Sequence, residues 1–80
     1  MNLIEAEQLA LRLMEEFGLL PEWEFTWDNA RRRFGVCRYN KKIISLSRHL
    51  VKLNEREQSE DTIRDEIARA LYAETRGRTD

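Results

Sequence analysis

The segment Ile63–Leu71, I-R-D-E-I-A-R-A-L, decides the fold. At ~100° per residue it divides into two faces. Ile63, Ile67, Ala70 and Leu71 fall on one side and form an apolar stripe that must be covered. Asp65, Glu66 and Arg69 fall on the other, with Thr62 and Tyr72 nearby. The i,i+4 spacing predicts an Asp65–Arg69 ion pair, worth ~0.3–0.5 kcal/mol when exposed. Ser59 is placed to cap this helix, with Glu60 and Asp61 in the first turn, where the helix dipole favours acid.

Working outward, the chain supplies the elements that such a stripe needs. Upstream, N-E-R-E-Q reads as a polar connection, and Ser47 caps a short helix, R-H-L-V-K-L, that ends near Asn54. K-I-I-S-L-S reads as a strand, preceded by a tight turn at Asn40-Lys41. R-F-G-V-C-R-Y reads as another strand, in which Gly35 marks a bulge or a close backbone approach. E-W-E-F-T-W alternates, with Trp23, Phe25 and Trp27 on one face, and Asp28-Asn29 with the arginines after them suit an exposed connection. The first segment is an amphipathic helix capped by Asn2 and Glu5, with Ala6, Leu9, Ala10, Leu13, Met14 and Phe17 on its apolar face. Gly18 suits the position past its end, and Pro21 prevents resumption. The order predicts an α+β fold: an N-terminal helix, a three-stranded and mainly antiparallel sheet formed as a meander, a short helix and a long C-terminal helix.

Composition fits one domain over residues 1–80. The chain is 41% hydrophobic and 36% charged, with a net charge of −1, so it is globular and has no bulk attraction to nucleic acid or to an anionic membrane. Cys37 is the single cysteine, which excludes an internal disulfide and suits a reducing, cytoplasmic setting. No apolar run approaches the ~20 residues of a membrane span, and M-N-L-I-E-A-E lacks a basic leader.

Three stretches, in this order, resemble the SprT-like family of zinc metalloproteases. They are W-E-F-T-W-D-N-A-R-R-R-F-G-V-C-R-Y, I-I-S-L-S-R-H-L and T-I-R-D-E-I-A-R-A-L. The resemblance runs from about Phe17 to Leu71 and implies a zincin-like upper subdomain whose last helix carries the motif H-E-x-x-H. In that motif two imidazoles one turn apart hold zinc, and the glutamate acts on a bound water. Here Glu66 matches the base position, while Asp65 and Arg69 stand at the two ligand positions. A third ligand would lie downstream, and no histidine follows Arg69 up to Asp80, which reads as a domain partial relative to a full metalloprotease. Arginine stays protonated and has no lone pair to donate, so no zinc is expected, although the family uses it.

The remaining candidates have plainer readings. His49 is the single histidine and suits packing or capping; Cys37, mid-strand, suits burial. Arg31, Arg32, Arg33, Arg38, Lys41 and Lys42 could line a phosphate path beside the aromatic strand, but Glu22 and Glu24 would repel it, so nucleic-acid binding is not expected. Open sheet edges and an uncovered lower surface point to a homodimer as the partner expectation, other partners being unknown. The sequence therefore reads as a non-catalytic, metalloprotease-derived domain with Glu66 a vestige, a truncated or engineered scaffold. The alternatives are a zinc metallopeptidase with a degenerate site and a nucleic-acid-binding module.

Overall fold

A computed structural model describes residues 1–76. The elements follow in the order α1 (Leu3–Glu16), β1 (Glu24–Asp28), β2 (Gly35–Arg38), β3 (Ile43–Ser47), α2 (Arg48–Leu53) and α3 (Arg56–Arg76). This is the expected α+β fold. The helix signals hold in detail at the N-terminus. Asn2 accepts from the Glu5 amide, Glu5 reaches back to the Asn2 amide, and Gly18 follows the helix at φ +75°. Ser47 caps α2 by accepting from the Leu50 amide.

The sheet departs from the meander. Its order is β1-β3-β2: β3 lies in the middle, parallel to β1 and antiparallel to β2. Local alternation identifies strands but not neighbours. The signal for the centre was the stretch Ile43–Leu46, apolar except for Ser45, because a central strand is covered along both edges, and four of the five β3 residues are buried. Residues 29–34 carry the chain across to the far edge, and polar bonds hold that crossing. Ser47 Oγ donates to the Ala30 carbonyl at 2.6 Å, and Arg48 donates to Asn29 Oδ1 at 2.6 Å.

A second correction concerns α3. The helix starts at Arg56, so N-E-R-E-Q is mostly its first turn and Ser59 lies inside it, fully buried rather than capping. The first turn is closed instead by Gln58, whose side chain accepts from the Glu55 amide while the Glu55 carbonyl accepts from the amides of Gln58 and Ser59. A glutamine three residues on serves as the acid of a capping box does.

The core joins α1 and α3 to one face of the sheet through Ala6, Leu13, Met14, Ile44, Leu46, Ile63 and Ile67, with Val51 from α2. Trp23 is buried just before β1, while Phe25 and Trp27 are partly buried and meet edge to face at 5.2 Å. Gly35 proves to be a close approach. A Cβ there would meet Thr62 Cγ2 at 3.0 Å, Glu66 Cγ at 3.1 Å and Leu46 Cδ2 at 3.2 Å. Replacing Gly35 with alanine should therefore cost about 1–3 kcal/mol, as overpacking does in other cores. Urea unfolding of Gly35→Ala measures it, and an unchanged midpoint would contradict so tight a contact.

Candidate functional site

The face of α3 that meets β2 carries an ionisable group. Ser59, Ile63, Glu66, Ile67 and Ala70 are its buried residues, so Glu66 belongs to the packed side, not to the exposed one assigned from its charge. The spacing 59, 63, 66, 70 is itself a helical stripe, masked by the polarity of Ser59 and the charge of Glu66. Its stem packs on Gly35, and the residue is 3% exposed.

The predicted Asp65–Arg69 pair does not form. Asp65 is exposed, and Arg69 reaches back one turn to Glu66, Nη1 donating to Oε2 at 3.3 Å. The other carboxylate oxygen, Oε1, is buried with no hydrogen-bond partner. A buried acceptor left unpaired costs about 1–3 kcal/mol, so the Arg69 contact offsets only part of this burial. Burial raises the Glu66 pKa above the usual carboxylate value; Arg69 opposes the shift and the Asp65 charge adds to it. Cys37, buried on β2, feels the same surroundings. Burial, reinforced by the negative Glu66 and opposed by Arg69, pushes its thiol up to about 11, so it is no nucleophile at neutral pH.

Tested against zinc, this donor set does not fit. Of the motif positions, Asp65 and Glu66 offer oxygens, but Arg69 offers a fixed cation already engaged with Glu66. Among the described residues, no three His, Cys, Asp or Glu side chains gather where they could hold a metal. His49 lies on α2, half-buried, outside any such group.

The basic residues do not form one stripe. Arg31, Arg32 and Arg33 lie in the crossing segment before β2, whereas Lys41 and Lys42 lie in the turn after it, at the opposite end of the strand. Arg33 pairs with Asp28 at 3.0 Å. Lys42, at φ +56°, pairs with Glu22 at 3.2 Å and Glu74 at 3.1 Å, which raise its pKa. The indoles are engaged as well: Trp23 donates to Glu74 and Trp27 to Glu7, at 3.0 and 2.8 Å. These long-range acid partners carry no local sequence signal, and the sequence reading missed them. Trp23 and Glu74 border a cavity of about 320 Å³ between the end of α1 and the end of α3, lined also by Phe17, Leu19, Glu22 and Leu71.

In comparison with known proteins, the model of the SprT-like family aligns with residues 6–80. No curated protein and no solved structure matches the chain. No helix among the described residues is long and apolar enough to cross a membrane.

The raised Glu66 pKa fixes the sign of a pH effect. The folded state holds that proton more tightly than the unfolded chain, so the stabilising contribution is complete below about pH 4.5, the ordinary value, and is lost as pH rises through the folded value. Glu66→Gln removes the titration. The stability of Glu66→Gln minus that of the native chain should therefore grow as pH rises from acid to neutral, and urea unfolding across that range reads it. A difference that shrank over that range would mean that Glu66 is better stabilised as the anion.

Proposed function

Because the chain belongs to the SprT-like family, we propose that it is a non-catalytic member, in which the helix that bears the family's zinc site has become a metal-free packing and binding element. The observation that supports this best is the Arg69–Glu66 contact at 3.3 Å. In the resemblance, Glu66 stands for the base and Arg69 for the second ligand. A guanidinium there has no lone pair, carries a charge of the metal's own sign and engages the carboxylate that would act on a metal-bound water. Asp65 alone, exposed and unassisted, is too few donors for a tetrahedral site.

The runner-up, a working zinc metallopeptidase, needs a metal that the Arg69 guanidinium repels. Nucleic-acid binding has less support than the sequence offered, since Lys42 and Arg33 are ion-paired and the two indole N–H groups are bonded to acids. A complementary Asp65–Arg69 pair would have favoured an engineered scaffold, and with Arg69 on Glu66 that pair gives it no support.

Zinc content tests the reading directly. The native chain, dialysed against trace zinc, should retain less than stoichiometric metal by elemental analysis, and stoichiometric zinc would overturn the proposal. Asp65→His with Arg69→His should create weak, saturable zinc binding by calorimetry, because it restores two imidazoles one turn apart and removes the cation. Indifference of that double variant to zinc would count against the placement of the motif on α3.

A further inference from the structure

The sheet has a second face, turned away from the helices. By register, Phe25, Trp27, Gly35, Cys37, Ile44 and Leu46 share the side on which α1, α2 and α3 bury their core residues. Strand alternation sends Glu24 and Thr26 of β1, Ile43 and Ser45 of β3, and Val36 and Arg38 of β2 to the other side. The crossing segment closes one end of that side, where Ser47 Oγ donates to the Ala30 carbonyl and Arg33 pairs with Asp28. Two rows remain across the three strands, Thr26–Ser45–Val36 and Glu24–Ile43–Arg38.

Each row is suited to being covered. The Thr26 and Ser45 hydroxyls bond to one another at 2.5 Å, so removing them from water costs little. Val36 and Ile43 are half-buried and point away from the core. Glu24 and Arg38 are exposed, and neither forms an ion pair among the described residues. They stand on opposite edges of the sheet at the same level, both in register with Ile43. Two strand spacings, about 10 Å, separate them.

We propose that this outer face binds a second copy of the chain, sheet on sheet, about a two-fold axis running along β3. Sheets packed face to face lie ~10 Å apart with their strands aligned to within about 30°. That axis exchanges the two edges. Glu24 of each copy falls over Arg38 of the other, Ile43 over Ile43, and Thr26 over Val36. Two ion pairs then flank an apolar contact, and the row is complementary to itself, as an isologous interface requires. A two-fold axis across the strands fails, because it sets Glu24 against Asp28 of the second copy. A polyanion or a polycation is a poorer occupant, since one edge of the face attracts it and the other repels it. Three short strands give a footprint only about 15 Å on a side, well below the ~800 Å² per partner of a stable interface, so the dimer is weak and exchanges rapidly. Arg31 and Arg32 of both copies gather at the crossing end and limit it further.

The test follows the intact chain by sedimentation and by ¹⁵N amide spectra from micromolar to millimolar concentration. A reversible monomer–dimer equilibrium is expected, with shift changes centred on Val36, Ile43 and Ser45. Glu24→Arg and Arg38→Glu, each at an exposed position and so compatible with folding, should each weaken self-association about tenfold or more while circular dichroism stays unchanged. Mixed in equal amounts, the two variants should associate with one another, because the arginines of one then meet the glutamates of the other. A chain that stays monomeric at millimolar concentration, a dimer indifferent to both reversals, or two reversed variants that ignore each other would overturn the proposal. So would shifts centred on α1 or α3, which would place the contact on the helical side. Zinc enters none of these measurements, so the non-catalytic reading stands or falls separately, on the metal content of the purified chain.

Discussion

The close approach of α3 to β2 at Gly35 is the constraint from which the rest follows. With no side chain at that position, the helix settles until the Thr62 and Glu66 stems fill the space that a Cβ would need. That contact turns Ile63, Ile67 and Ala70 into the core and draws α1 in behind them. It also buries Glu66, which no energetic argument about an isolated helix would favour. A carboxylate at 3% exposure with one oxygen unpaired is a cost that the packing of the whole interface carries.

Around this interface the chain spends several acids on aromatic and basic partners far away in sequence. Glu74 receives both the Trp23 indole and Lys42, binding the end of α3 to the β1–β3 corner. Glu7 receives the Trp27 indole and ties α1 to β1, and Glu5 pairs with Arg56 at the start of α3 at 2.9 Å. Each exposed pair contributes little alone. Their arrangement matters more, because every one links two elements that the core already brings together. The large aromatics of the first strand therefore act as anchored packing groups rather than as a free stacking surface.

Much of this was legible in the residues. Caps at Asn2 and Ser47, the glycine past α1 and the apolar stripe of α3 are local signals, read from neighbours within one helical turn. Gly35 announced a bulge or a close approach, without deciding between them or naming what approached it. The strand order was not legible, because alternation of period two is the same for an edge strand in a meander and for one beside a crossover. The start of α3 was missed because Ser59 looks like a cap, while its burial depends on tertiary packing that a polar side chain does not advertise. Glu66 was placed on the wrong face for a related reason. Charge argues for solvent, and here geometry overrules it.

That override bears on how such a site changes. A divalent ion beside a buried glutamate and a guanidinium beside the same glutamate solve the same electrostatic problem, in that each supplies positive charge to a carboxylate shielded from water. Removing one partner of a buried pair is far costlier than exchanging it, since the charge left behind is uncompensated. Positions 66 and 69 are coupled through their contact, and Arg69, itself more than half exposed, offsets part of the cost of burying Glu66. Position 65 is coupled only through its charge: Asp65 faces solvent and hydrogen-bonds to neither residue, but its carboxylate adds to the rise of the Glu66 pKa. The Glu66 stem is fixed by the packing at Gly35, and Arg69 supplies positive charge to the carboxylate that this packing buries.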